Sequence, residues 1–211
     1  MSRSPSLNEL RLIVVCDIVV ASGAARVLDL GCGEGKMVGL LAEEPQIEKV
    51  VGVDVARQAV EAAARRLSFD ERKVRDRSGP MITLLHDDVA GHYSELSAEL
   101  TDVTVDAALA VEIIEHLDGD QLARFEENLF DHVGPSLIVV TTPNREYNVH
   151  LDLGGTEALR HRDHRFEWTR QEFAAWAMGL ASCFGYGLSF TGIGDHRPRT
   201  GPQTQAAIFR R

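Results

Sequence analysis

The sequence predicts a doubly wound α/β fold, with a mostly parallel seven-stranded sheet, helices on both faces and an antiparallel hairpin at the end. Three observations predict it. Short β-branched or apolar runs alternate with helical patterns through most of the chain, the signature of strand–helix–strand units that build a parallel sheet. The first strand runs into a glycine turn, Gly31-Cys32-Gly33-Glu34-Gly35, and ligands in such sheets bind at the carboxyl ends of the strands. Near the end, two β-type runs follow each other across a Gly/Pro/Arg-rich connection, which reads as a hairpin.

Residues 6–22 carry apolar side chains at helical spacing and stop at Ser22-Gly23, a turn signal. Arg26 to Leu30 is a short apolar strand, and Lys36 to Glu44 after the glycine turn reads as a helix stopped by Pro45. The unit repeats as strand Val50 to Val55 and the Ala-rich helix Arg57 to Leu67. A polar stretch from Ser68 to Pro80 leads to strand Met81 to Leu85. Strand Val105 to Val111, helix Asp118 to Phe130 and strand Ser136 to Thr142, ended by Pro143, complete the alternation. Residues 143–168 are polar, rich in His and Arg and without strong periodicity; a connection of that length inside a compact domain is usually functional or disordered. The next helix, Thr169 to Leu180, has a clear start: Thr169 and Glu172 fit a capping box, and Trp168 and Phe173 fit a hydrophobic staple. Gly187 to Ile193 and Gln205 to Arg210 are the expected hairpin strands.

Composition narrows the classes. A chain of 211 residues matches one ordinary domain, large enough to bury roughly 70% of its unfolded surface. A single domain over 1–211 is expected, with an N-terminal helix within 1–24 and a loop insertion at 143–168. Hydrophobic content of 44% with 26% charged residues suits a soluble protein, and no run approaches the ~20 apolar residues of a membrane span. Cys16, Cys32 and Cys183 are far apart and odd in number, which suggests neither a disulfide framework nor a cysteine zinc site. A reducing cytoplasm is the expected location. The net charge of −10 argues against non-specific grip on long nucleic acid.

The glycine turn carries the first chemical reading. Glycines stand where the backbone must turn tightly and approach a ligand, and Asp54 ends the next strand, where a carboxylate can accept from a ribose diol. A nicotinamide cofactor would want a third glycine at position 36, occupied by Lys36. Asp29 at the mouth of the turn suits a cationic sulfonium cofactor better than a pyrophosphate. Asp29-Leu30-Gly31-Cys32-Gly33-Glu34-Gly35 resembles motif I of class I methyltransferases, whose doubly wound, Rossmann-like fold binds S-adenosylmethionine. The resemblance implies cofactor contacts at Asp29, Gly31, Gly33 and Asp54, with the adenine position falling on Asp88 or its neighbour Asp87.

The second reading follows the fourth strand. In Glu112-Ile113-Ile114-Glu115-His116, positions i, i+3 and i+4 of a helical turn share a face, so Glu112, Glu115 and His116 are expected to converge. Two carboxylates and an imidazole suit Mg²⁺ or Mn²⁺ more than Zn²⁺. For a fourth ligand the 143–168 segment offers His150, His161 and His164.

ExxEH after the fourth strand, Thr142-Pro143-Asn144-Arg145-Glu146-Tyr147-Asn148, Asp163-His164-Arg165-Phe166-Glu167-Trp168-Thr169 and Gly201-Pro202-Gln203-Thr204-Gln205 together resemble the methyltransferase domain of the Hua-enhancer family. That family methylates the 2′-hydroxyl of the 3′-terminal nucleotide of small RNAs in plants and animals, and of repaired RNA ends in bacteria. The resemblance runs from about residue 7 to the C-terminus and places the metal and catalytic residues on Glu112, Glu115, His116 and His164. It implies Mn²⁺ or Mg²⁺ and an RNA 3′ end with a free 2′,3′-diol, with His116 or a ligating carboxylate as proton acceptor. Arg160, Arg162 and Arg165 are candidate contacts to the last phosphates, with a solvated arginine face as the alternative. Phe166 and Trp168 are candidates to stack on the terminal base, against the staple role for Trp168. The acidic charge implies an RNA-holding or RNA-repair partner domain or protein. A metal-dependent small-molecule methyltransferase acting on a catechol-like diol is the alternative function, disfavoured by the basic cluster at 160–165.

Overall fold

The computed structural model describes residues 4–69, 79–91, 104–153 and 158–211. The middle of the expected polar stretch 68–80 and part of the 143–168 segment lie outside these residues.

The chain opens with helix α1 (Leu7–Ser22), started by a capping box between Ser6 and Glu9 and stopped by Gly23 in the left-handed region. Strand β1 (Arg26–Leu30), helix α2 (Lys36–Ala42), strand β2 (Lys49–Asp54), helix α3 (Arg57–Phe69) and strand β3 (Met81–His86) follow. Strand β4 (Ala107–Val111) leads to helix α4 (Gly119–Glu126), and strand β5 (Leu137–Pro143) is separated by helix α5 (Arg170–Phe184) from strands β6 (Gly187–Arg197) and β7 (Gly201–Arg210). The sheet order is β3-β2-β1-β4-β5-β7-β6. All pairs from β3 to β5 are parallel, and β7 pairs antiparallel with both β5 and β6. The expected doubly wound sheet with its terminal hairpin is what forms.

Alternate residues of the parallel strands feed two apolar layers. On one face Val15 and Val19 of α1 and Val38 and Leu41 of α2 pack on Val27, Val50, Leu109 and Val139. On the other, Phe125, Phe130, Phe173 and Leu180 pack on Leu28, Val51, Ala108, Ile138 and Phe209. Strands covered on both faces read as near-continuous apolar runs, as Leu137 to Val140 of the fully buried β5 do. No helix among the described residues is long and apolar enough to cross a membrane.

Three elements differ from expectation. The helix expected to end at Phe130 instead widens into a π-helical turn over Glu127–Val133, closed by Gly134 in the left-handed region. The widening turns Asn128 inward, where its amide donates to the carbonyls of Val89 and Gly91 at 3.3 and 3.1 Å. Arg124 donates to Ala90 O at 2.8 Å, so α4 clamps the loop that carries Asp87 and Asp88. The 143–168 segment, expected to lack regular structure, contains a 3-10 helix over Arg145–His150, N-capped by the Asn144 side chain. Its base is closed where Asn144 pairs with Trp168 as an isolated bridge. The hairpin is longer than its apolar pattern, because backbone pairing continues past Ile193 through a register shift to Arg197↔Gly201.

Candidate active site

The first candidate half-site, expected to hold the methyl donor, is built by the β1–α2 turn. Gly31, Gly33 and Gly35 have φ of 74°, 54° and 72°, a region that side-chain-bearing residues rarely enter. At Gly31 a Cβ would also lie 1.9 Å from Ile113 Cδ1, so the glycine is required both by conformation and by close approach. The N–H groups of Gly31 and Cys32 donate to Val53 O at 2.8 and 2.9 Å. Asp54, at the end of β2, accepts from Gly33 N–H through Oδ2 and from Ala56 N–H through Oδ1, each at 2.8 Å. The turn and the next strand thus fix each other.

Asp29 lies beneath the turn, 2% exposed, and its Oδ2 has no hydrogen-bond partner among the described residues. Burial, reinforced by the nearby Asp54 charge, pushes its carboxyl up to about 7. An orphaned acidic oxygen facing a pocket of about 200 Å³ lined by Asn8, Leu12, Gly31, Gly33 and Met37 fits a ligand with a cationic group. Asp87 and Asp88 follow β3: Asp87 Oδ1 accepts from Asp88 N–H at 2.8 Å, and Asp88 Oδ1 accepts from Ala90 N–H at 2.9 Å.

The second candidate half-site, expected to hold the methyl acceptor, follows β4, and here the helical-face expectation needs correction. Glu112 has φ 57°, the one positive value among described non-glycine residues, and Ile114–His116 form a 3-10 turn rather than an α-helix. Such a conformation costs on the order of 1–3 kcal/mol and persists only where its surroundings impose it. Glu112 N–H donates to Thr141 O and Oγ1 at 3.1 and 3.2 Å. Its carboxylate accepts from the Thr141 hydroxyl at 3.1 Å and from Arg11 of α1 at 2.7 Å.

The triplet that does converge is Glu115, His116 and His164, whose candidate ligand atoms all lie within 4.8 Å of one another. Glu112 stands outside it because the backbone turn points its carboxylate toward Arg11. Glu115 is fully buried; Oε2 accepts from the Thr142 hydroxyl at 3.0 Å, while Oε1 has no partner among the described residues. Burial first, and the Glu112 charge second, push the Glu115 carboxyl well above its ordinary range. Partial burial of its ring, with the adjacent His164 second, pushes the His116 imidazole below its usual value. The rings of His116 and His164 meet edge to face at 4.9 Å, and His161 stands further out, 5.8 Å from His164 and 6.4 Å from His116. His150 is turned away to Thr200 Oγ1. A buried carboxylate with an open oxygen beside two imidazoles matches the donor chemistry of a divalent ion.

The arginine cluster divides. Arg162 is 91% exposed in its side chain and Arg165 is exposed, as a phosphate contact requires. Arg160 points inward instead: its guanidinium donates to Asn148 Oδ1, Gln203 O and Asn144 O at 2.7, 2.9 and 2.6 Å. These partly buried acceptors hold the half-buried guanidinium inside the loop, so it is turned neither to solvent nor outward like Arg162 and Arg165. Trp168 packs against Phe166 at 4.4 Å, Trp176 at 5.4 Å and Phe173 at 6.5 Å, above the Thr169–Glu172 capping box. The staple role holds it.

Sequence reasoning missed Arg11, Thr142 and Glu167. Glu167 Oε1 lies 2.6 Å from His164 Nδ1, and only the His164-x-x-Glu167 spacing could have signalled it.

A model of a methyltransferase domain matches residues 15–180 of the chain. A small RNA 2′-O-methyltransferase of Rattus norvegicus is 37% identical over 98% of this chain and 52% of its own length. One from Arabidopsis thaliana is 31% identical over 98% of this chain and 23% of its own. The chain therefore spans about half the length of the rat protein. Among solved structures, the methyltransferase domain of bacterial CtHen1 matches with a TM-score of 0.82 at 36% identity, covering 98% of this chain and all of that one. Small RNA methyltransferase HEN1 matches with a TM-score of 0.85 at 29% identity, over all of this chain and 27% of that one. The glycine turn beneath an acidic pocket and the Glu115–His116–His164 cluster thus lie in a chain that belongs to the methyltransferase-domain family, on its Hen1 branch.

Proposed function

We propose that the chain transfers a methyl group from S-adenosylmethionine to the 2′-hydroxyl of the 3′-terminal ribose of RNA, with Mn²⁺ or Mg²⁺ bound at the acceptor site. The observation that carries this is the contact between the two half-sites. Ile113, between Glu112 and the converging triplet, packs its side chain against the Gly31 backbone, so the candidate ligands and the donor turn share one wall. Small RNA 2′-O-methyltransferase relatives at 37% identity support the substrate class.

On the donor side, the Asp29 carboxylate offsets positive charge on the methyl donor, Asp54 accepts from its ribose hydroxyls and Asp87 or Asp88 meets its adenine. On the acceptor side, Glu115, His116 and His164 hold the divalent ion, with Glu112 as the remaining ligand once it parts from Arg11. When bound, the ion supplies a Lewis acid that selects a vicinal diol and acidifies the 2′-hydroxyl, as bound water is acidified from about 15.7 toward 7. Arg162 and Arg165 contact the last phosphates. A carboxylate of the site, or His116 where it is free of the ion, takes the hydroxyl proton as the oxygen bonds the methyl carbon and the sulfonium S–CH3 bond breaks, which leaves S-adenosylhomocysteine. The net charge of −10 makes an RNA-holding partner domain or protein part of the proposal. The unpaired Cys16, Cys32 and Cys183 support a reducing cytoplasmic setting.

The test is transfer from labelled S-adenosylmethionine to a short RNA, with and without Mn²⁺ or Mg²⁺. Transfer is expected to need the ion, to vanish with a 2′-deoxy or 3′-phosphorylated end, and to be lost in Glu115→Ala. Equal transfer to blocked ends, or transfer to catechol but not RNA, overturns the proposed substrate.

A further inference from the structure

We propose that Glu167 is a positioning residue that fixes the tautomer and aim of His164, and that Asn148 and Arg160 form the frame that orients Glu167. The inference rests on the reading of His164 as a metal ligand. It adds a role for three residues that are not themselves ligands.

The geometry is directional. The Glu167 side chain has no exposure and that of His164 is 8% exposed, so neither is satisfied by bulk water. A carboxylate only accepts, which means the 2.6 Å contact from His164 Nδ1 to Glu167 Oε1 carries the imidazole proton on Nδ1. Nε2 is then left with a bare lone pair, the state an imidazole needs in order to ligate. The same Oε1 accepts from Arg160 N–H at 2.7 Å, and Oε2 accepts from Asn148 Nδ2 at 2.5 Å. The orientation of that amide is itself determined. Asn148 Oδ1 takes the Arg160 Nε proton at 2.7 Å, so Nδ2 must face Glu167. Arg160 in turn is pinned by Asn144 O and Gln203 O. The order of control runs from Arg160 through Asn148 and Glu167 to His164.

Burying a carboxylate costs several kcal/mol unless it is paired, and apolar packing would close this segment as well. A charged group is needed where an imidazole must be both held in place and kept electron-rich. Partners of this kind typically change metal affinity by about 10–100-fold.

The experiment is a Mn²⁺ titration followed by electron paramagnetic resonance on the wild-type chain, Glu167→Gln, His164→Ala and the double variant. S-adenosylhomocysteine affinity and melting temperature are measured in parallel. Glu167→Gln is expected to weaken Mn²⁺ binding by roughly 10–100-fold, to leave cofactor affinity unchanged, and to have no further effect in the His164→Ala background. Asn148→Ala, which leaves the His164 contact in place, is expected to lose affinity in the same direction by a smaller factor, and it carries the test if Glu167→Gln does not fold. Wild-type Mn²⁺ affinity in Glu167→Gln and Asn148→Ala overturns the positioning role, as does an equal loss with and without His164. A wild-type chain that binds no Mn²⁺ overturns the metal reading of the site and this inference with it.

Discussion

Replacing Arg160 with alanine separates the two roles an arginine in this loop can have. Its three donated bonds cross-link the 3-10 helix, through Asn144 and Asn148, to Gln203 of β7. Hydrogen bonds from a charged donor contribute about 1.5–3 kcal/mol each. Three at the lower end give about 4.5 kcal/mol, from which relief of the guanidinium's own burial subtracts about 1, so the net loss is about 3.5 kcal/mol. For a chain of this size each kcal/mol moves the melting temperature by about 2–4 °C, so Arg160→Ala is expected to melt roughly 7–14 °C lower. Lysine presents one compact charge and cannot serve three divergent acceptors, so Arg160→Lys is expected to recover less than half of the loss. Thermal melting and urea unfolding of the ligand-free chain measure this. An Arg160→Ala chain that melts with the wild type yet has a raised KM for RNA would refute the cross-link and restore a phosphate contact.

Asp29 predicts a pH dependence. Its folded value of about 7 lies above the ordinary 3.8, so its contribution to stability is present below about 4 and is lost as pH rises through 7. The ligand-free chain is expected to lose urea resistance between about pH 4 and pH 7, and Asp29→Asn to flatten that slope; parallel slopes would contradict the assignment. Gly31→Ala must move Ile113, whose Cδ1 stands 1.9 Å from the added carbon at φ 74°. It is expected to cost more than about 1 kcal/mol and to weaken S-adenosylhomocysteine binding in calorimetry, whereas wild-type affinity would show that the turn yields. Charge reversal of the exposed pair Arg162 and Arg165 is expected to leave melting unchanged and to raise the KM for RNA. It is also expected to lower the salt slope by about 0.7 for each phosphate of a single strand that the chain no longer neutralises. An unchanged slope would place RNA elsewhere.

What was legible in the sequence was local. The strand–glycine–helix unit and the Thr169–Glu172 cap rest on neighbours a few residues apart, Asp54 meets Gly33 across 21 residues within one strand–helix–strand unit, and each forms where its spacing puts it. The acceptor side was legible only in part, because its geometry is imposed from far along the chain. Spacing puts Glu112 on a helical face, but its left-handed backbone is locked by Thr141 and its carboxylate is held by Arg11, which lies 101 residues away. Arg11 gave no signal, since it sits between Leu10 and Leu12 in an apolar helix. Arg160 read like its neighbours Arg162 and Arg165. Nothing in the order of residues shows that Gln203 O, 43 positions on, draws it inward.

The bond from Arg11 of α1 to Thr204 of β7, at 3.3 Å, joins residues 193 apart, and this divides the site by distance along the chain. The candidate donor cradle is held through neighbouring parallel strands, whereas the frame around the candidate acceptor cluster is held by contacts to Gln203 and Thr204 from residues far earlier in the chain. Closing a longer loop costs more chain entropy, so the acceptor frame carries the larger ordering cost. Strand β7, inserted between β5 and β6, is where that cost is offset.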